Sequence, residues 1–112
     1  ILVVGEGIEP MLSVREAAPG LPVWAALSSS HLGAVLLPEG LQRLYIAIDR
    51  DPAGQRAAER LTIRASEAGI AVRVLEPRLG DFNDDLTADG PEVLRQYLAK
   101  QIGPEDRERL ER

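Results

Sequence analysis

Short apolar runs alternate with segments of helical periodicity along this sequence, and the alternation limits the folds it can adopt. The apolar runs are residues 1–4, 22–27, 44–48 and 70–75. The helical patterns that follow them are residues 10–18, 28–37, 53–68 and 91–100. Short continuous apolar runs are typical of strands that are buried on both faces. Alternating strands and helices form βαβ units, so we expect an α/β fold: a central parallel sheet of about four strands with helices on both faces.

The composition excludes several classes of protein. The 112 residues are enough for one domain with one compact core. Because the chain has no cysteine, any metal must be held by oxygen ligands or by the single His31. The formal net charge of -5 argues against a surface that grips nucleic acid without added cations. We find no run that could cross a membrane and no signal peptide, so we expect a cytoplasmic protein with no membrane partner.

Both ends of the chain suggest a piece of something longer. The sequence begins inside a predicted strand and without an initiator Met, so we expect an excised domain or a processed fragment. Residues 104–112 are almost all charged, and we expect them to form a solvated helical tail or a linker stub. The folded domain would then cover residues 1–103.

Acidic residues follow three of the four predicted strands. Glu6 comes after the first run, Asp49 and Asp51 come after the third, and a cluster that begins at Asp81 comes after the fourth. Because the carboxyl ends of parallel strands meet at one edge of a sheet, we expect these side chains to share a rim. Clustered carboxylates repel one another unless a divalent cation separates them, and oxygen ligands suit Mg²⁺ or Mn²⁺. Such sites most often serve phosphoryl or nucleotidyl transfer.

A simpler role is equally open for Asp51. The pair Asp51-Pro52 stands directly before a helical pattern, where an aspartate caps the helix and a proline occupies its first turn. Local pattern alone does not separate a capping role from a metal-binding role.

Three segments, taken together and in order, resemble the signature blocks of the Toprim domain. They are residues 3–9 (VVGEGIE), 48–54 (IDRDPAG) and 80–84 (GDFND), each placed after a predicted strand. The Toprim domain is the catalytic module of bacterial-type primases, of type IA and type II topoisomerases and of some nucleases. The blocks are most similar to those of primases and primase-helicases from phages, plasmids and mobile elements. Residues 1–103 would accordingly be a Toprim catalytic domain.

The resemblance assigns roles to particular residues. It implies that Asp49 and Asp51 are Mg²⁺ ligands and that Glu6 is a third ligand or a general acid/base, with Asp81 supporting the metal site. The resemblance also implies contacts to nucleotide or nucleic acid. Gly7 and Gly54 would allow a phosphate backbone to approach, and Arg50 and Arg56 would touch phosphates.

The implied activity is Mg²⁺-dependent synthesis of RNA primers during DNA replication. Its substrates would be nucleotide triphosphates and single-stranded DNA, bound through the longer protein, and a helicase domain or a separate helicase is an implied partner. Two other functions stay open: strand cleavage, as in Toprim nucleases and topoisomerases, and a non-catalytic module that binds a metal or a partner protein. Neither Tyr45 nor Tyr97 is placed as a topoisomerase nucleophile would be, because one lies in a strand and the other on an apolar helix face.

Some positions depart from the family pattern or have ordinary structural roles. Pro10 stands where cellular replicative primases carry an aspartate, which favours the mobile-element branch. We expect Glu9 to stabilise the start of a helix and His31 to lie at the surface. Trp24 should belong to the core. We expect Asn83 and Asp84 to cap the turn that follows them. For Arg50 and Arg56 the alternative to a phosphate contact is a place on a solvated helix face.

Overall fold

The computed structural model describes all 112 residues, and strands alternate with helices throughout. The strands are β1 (Leu2–Gly5), β2 (Val23–Ala25), β3 (Arg43–Ala47) and β4 (Ala71–Leu75). The helices are α1 (Ile8–Ala17), α2 (Ser29–Ala34), α3 (Pro52–Glu67) and α4 (Phe82–Ala99), followed by a C-terminal 3₁₀ helix (Pro104–Glu111). No helix is both long enough and apolar enough to span a bilayer.

The four strands form one sheet in the order β2-β1-β3-β4, with every neighbouring pair parallel. Val4 of β1 lies opposite Trp24 on one side and Ile46 on the other. The predicted α/β class is therefore confirmed. Since β1 and β3 are adjacent and parallel, the residues that follow them emerge side by side at one rim of the sheet.

Alternate residues of the strands belong to two separate hydrophobic cores, one on each face of the sheet. Val3, Tyr45 and Leu75 pack against α1, α4 and the 3₁₀ helix on one face. Leu44 and Ile46 belong to the core that α2 and α3 cover on the opposite face. The period of two along each strand thus places helices on both sides of the sheet, as the sequence pattern predicts.

The last long helix begins earlier than the predicted residues 91–100. It starts at Phe82 and is kinked at Gly90, where φ is 83°, with Pro91 next in the chain. Phe82 is fully buried and anchors the first half to the core. The N-cap is Asp81, whose side chain accepts a hydrogen bond from the Asp84 backbone N–H at 2.8 Å. The prediction that Asn83 and Asp84 cap this segment is therefore wrong.

The charged C-terminal segment is not a solvated tail, so that prediction is also wrong. Its 3₁₀ helix buries Leu110 and the whole side chain of Asp106. The Asp106 carboxylate accepts hydrogen bonds from Arg43 at 2.7 and 2.8 Å and from the Tyr45 hydroxyl at 2.7 Å. Two strand residues therefore anchor this segment to the sheet.

Trp24 is not a core residue, contrary to the prediction. It lies in β2, which is an edge strand of the sheet, and 43% of its surface is exposed. The apolar run around it predicts a strand but carries no information about the position of that strand in the sheet.

Candidate metal centre

Three carboxylates converge where β1 and β3 end. Glu6 directly follows β1, Asp49 follows β3 by two residues, and Asp51 is the N-cap of α3. One carboxylate oxygen from each of the three lies within 4.8 Å of the others. The parallel pairing of β1 with β3 creates this cluster, because it brings residues 43 positions apart in the chain to the same rim.

Asp51 is a helix cap and also a member of the cluster. Its Oδ1 accepts a hydrogen bond from the Gly54 backbone N–H at 2.6 Å, which satisfies one free donor of the first helical turn. A β-carbon at Gly54 would lie 3.1 Å from that oxygen and 3.5 Å from Glu6 Oε2. The capping and clustering roles are thus compatible, and the glycine keeps the space beside the carboxylates open.

The surroundings of the cluster make ionisation of Glu6 and Asp49 unfavourable. Burial raises the pKa of Asp49 to about 6, and the negative charges of Glu6, Asp81 and Asp51 act in the same direction. Burial also raises the pKa of Glu6, together with the charge of Asp51, while the backbone N–H of Ser29 lowers it. No salt bridge from an arginine, lysine or histidine neutralises Glu6, Asp49 or Asp51.

One oxygen of this cluster lacks a partner. Glu6 Oε2 is buried and makes no hydrogen bond. Buried polar atoms nearly always have a partner, so an orphaned carboxylate oxygen facing two other carboxylates fits a cation. The donor set is all oxygen, as Mg²⁺ and Mn²⁺ prefer. Glu6, Asp49 and Asp51 would hold such an ion.

Asp81 lies beside this group and not within it. It shares an open cleft with Asp49, and its charge contributes to the raised pKa of Asp49. Its Oδ1 is engaged as the cap of α4. The sequence pattern places the neighbouring Asp85 in the acidic cluster after the fourth strand but gives it no role of its own. Asp85 is buried and accepts the backbone N–H groups of Arg78 and Leu79 at 2.7 Å each. Asp85 holds the loop that presents Asp81.

The predicted nucleic-acid contacts have different surroundings. Gly7 is the N-cap of α1, directly beside Glu6, and Gly54 lies in the first turn of α3. The Arg50 guanidinium donates to the Pro77 carbonyl at 2.6 and 3.0 Å, so it fastens the β3–α3 loop to the loop after β4. Arg56 is exposed on α3.

The other singled-out residues lie outside the carboxylate group. Glu9 is in the first turn of α1 and exposed, as expected of a residue that stabilises a helix start. Its carboxylate accepts a 3.4 Å hydrogen bond from the Asn83 side chain. His31 is exposed in α2, where its backbone N–H donates to Ser28 Oγ at 3.1 Å. The Tyr45 hydroxyl is enclosed by the Asp106 and Gly103 contacts.

Comparison with known protein families shows to which family the chain belongs. The Toprim domain family matches residues 1–92, which covers most of the chain and includes every member of the carboxylate cluster. The chain belongs to the Toprim family. The resemblance drawn from the three sequence blocks is thereby confirmed.

Two individual proteins are similar to this Toprim chain. A protein from Methylorubrum populi named ribosomal RNA small subunit methyltransferase H is 35% identical over 85 residues. That match covers 76% of this chain and 23% of the relative, so the chain spans about a quarter of the length of the curated protein it matches.

The second likeness is structural. It is to a chain in the structure of bacteriophage T7 lagging-strand DNA polymerase interacting with primase domains of two gp4 subunits bound to an RNA/DNA hybrid and dTTP. The TM-score is 0.59 with 24% identity, and the match covers 87% of this chain and 53% of that chain. At this level of identity the likeness shows a shared fold.

Proposed function

We propose that this Toprim chain is the divalent-cation-dependent nucleotidyl-transfer module of a DNA primase, which joins nucleotides into RNA primers on single-stranded DNA. The observation that carries the proposal is the cluster of Glu6, Asp49 and Asp51 with its unpartnered Glu6 oxygen. Family membership supports phosphoryl-transfer chemistry, and the shared fold with a chain of the T7 primase complex favours primer synthesis over strand cleavage.

The side chains divide the work by position. Asp49 and Asp51 would hold Mg²⁺ or Mn²⁺ at the carboxyl end of β3. When bound, the cation stabilises the negative charge that develops on the transferred phosphoryl group. Glu6, whose pKa is raised by burial and by the charge of Asp51, would be a third ligand or a general acid/base for the reacting hydroxyl. Asp81 would support this set from the cap of α4.

The surroundings of the cluster suit an approaching phosphate backbone. Helices α1 and α3 both begin at this rim, and their first backbone N–H groups are favourable for anions. Gly7 and Gly54 leave space there, and Arg56 would add a cation from the exposed face of α3. Arg50 would contribute mainly by holding the rim loops together through Pro77.

The partners follow from the chemistry. Nucleotide triphosphates and single-stranded DNA would be the substrates, with further domains of a longer protein supplying the positive charge that a chain of net charge -5 lacks. A helicase domain or a separate helicase would place the module at the replication fork. The site of action would be the cytoplasm.

Calorimetric titration with Mn²⁺ and Mg²⁺ tests the proposal. We expect saturable binding by the wild-type chain and none by the double variant Asp49→Asn/Asp51→Asn. The matched control is Glu39→Gln/Glu67→Gln, which removes the same charge from two exposed carboxylates outside the cluster and should bind like the wild type. The titrations are repeated with nucleotide triphosphate present, since substrate phosphates can complete a metal site.

The outcomes separate the candidates. Absence of binding in both formats overturns the catalytic proposal, and equal binding by the cluster variant assigns the metal to another place. If metal binds, nucleotide incorporation on a single-stranded template supports the primase, whereas cleavage of a DNA strand without incorporation supports a nuclease.

A further inference from the structure

Leu27 has a backbone conformation that leucine rarely adopts. Its φ is 80°, and it is the only residue other than glycine with a positive φ. Two hydrogen bonds maintain this conformation: the Ala26 N–H donates to the Gly5 carbonyl at 2.7 Å, and the Leu27 N–H donates to the Glu6 carbonyl at 2.6 Å. The loop between β2 and α2 is thus fixed to the end of β1, beside the carboxylate cluster.

Core packing does not account for the leucine. Its side chain is 64% exposed, so it buries little apolar surface within the protein. A glycine would make the same backbone hydrogen bonds without an unfavourable φ. Backbone strain that the fold does not need is concentrated at functional sites. The exposed side chain of Leu27 is therefore the part that indicates a function.

Leu27 lines the cleft that also contains Asp49 of the metal centre. The cleft has a volume of about 410 Å³, and its acidic lining residues are Glu9, Asp49 and Asp81. Leu27 and Ile8, which is 55% exposed, contribute apolar side chains to the same cleft. Small-molecule sites commonly have volumes of about 300–1,000 Å³ and combine apolar walls with a few polar groups.

We propose that Leu27 and Ile8 form an apolar shelf that packs against the nucleobase of a nucleotide whose phosphates lie at the carboxylate cluster. This inference rests on the proposed function, because the cation at Asp49 would hold those phosphates. Flat base faces pack on apolar side chains as they do on aromatic ones, and every base presents such a face. The shelf would therefore increase affinity for nucleotides without selecting one base.

The test compares two ligands that share their phosphates. ATP and inorganic tripolyphosphate are titrated in excess Mn²⁺ against the wild-type chain and the variant Leu27→Gly. We expect the variant to lose affinity for ATP by about tenfold, as the loss of a small apolar contact implies, and to keep its affinity for tripolyphosphate. Because glycine suits a positive φ, the thermal midpoint of the variant should equal or exceed that of the wild type.

Two more variants serve as controls. Leu27→Ala removes the shelf but keeps a β-carbon at the positive φ, so it should also lose affinity for ATP. Leu36→Gly removes a leucine that is 84% exposed in the loop after α2, beside the C-terminal end of α3, and should bind both ligands like the wild type.

Each result has a defined meaning. Equal ATP affinity in the wild type and Leu27→Gly overturns the shelf, and so does an equal loss for both ligands. Tripolyphosphate binding that is retained in every Leu27 variant leaves the proposed metal site standing even if the shelf fails. If the wild type binds neither ligand in Mn²⁺, the proposed function itself is overturned and the shelf with it.

Discussion

Asp49 is a site where function and stability are opposed. Its pKa of about 6 in the folded chain lies above the value near 3.9 expected in the unfolded chain, so the folded state binds the proton more tightly. The stability associated with this group is fully present below about pH 4 and is lost as the pH rises through about 6. At neutral pH, without a cation, the Asp49 carboxylate destabilises the fold.

We therefore predict that Asp49→Asn stabilises the metal-free chain at neutral pH. The gain in unfolding free energy should be on the order of 2 kcal/mol at pH 7.5, after allowance for solvent screening, and should vanish near pH 4. Urea unfolding in EDTA at several pH values measures it, with Glu39→Gln as a control at an exposed carboxylate. A variant that is less stable than the wild type at pH 7.5 would contradict the electrostatic description of the cluster.

The C-terminal 3₁₀ helix is part of the folded domain because of one buried carboxylate. Burial by itself would raise the pKa of Asp106, but hydrogen bonds from Arg43 and Tyr45 hold that pKa below its usual value. The pH dependence of stability is therefore opposite to that caused by Asp49. The stabilisation from Asp106 is present above about pH 4 and is lost as the pH falls through the lowered pKa. The network also reaches the Gly103 N–H, which donates to the Tyr45 hydroxyl at 3.0 Å.

Asp106→Ala should consequently destabilise the whole chain. We expect a loss of about 3 kcal/mol in the free energy of unfolding, because the Arg43 and Tyr45 groups are left without their partner. Denaturant unfolding at pH 7 checks this, and Glu108→Ala serves as the control, since Glu108 is exposed and makes only a 3.7 Å contact with Arg112. A change below about 0.5 kcal/mol for Asp106→Ala, the size expected of a surface substitution, would mean that the segment is dispensable.

The local sequence pattern was sufficient to predict the strands and the order of the elements. It failed for segments whose structure depends on contacts with residues distant in the sequence. The half of α4 that precedes Gly90 carries several polar residues, and its anchor is one buried aromatic residue, Phe82. Charge dominates the last nine residues, so nothing local distinguishes Asp106 from its solvated neighbours. Its partners in β3 are about sixty positions away, and tertiary pairing of that kind leaves no periodic signal.

The carboxylate cluster was predictable for a different reason. Residues that follow adjacent parallel strands must meet at one rim, so Glu6, Asp49 and Asp51 could be placed together from the strand pattern and the family blocks. The apolar side of the cleft could not be placed in this way. The exposure of Leu27 depends on a backbone torsion that the sequence does not reveal, and Asp81 could be placed near the cluster but not assigned to its capping role.

Metal binding should be visible in the stability of the entire fold. Any ion that binds only the folded state raises the unfolding free energy, by about 2.7 kcal/mol at a hundred times its dissociation constant. For a chain of this size we expect Mn²⁺ to raise the thermal midpoint by about 10 °C, and the expected shift for Asp49→Asn/Asp51→Asn is near zero. Sodium chloride at equal ionic strength controls for screening of the net charge of -5. Equal shifts in both proteins would place the stabilising ion elsewhere, because only the cluster differs between them.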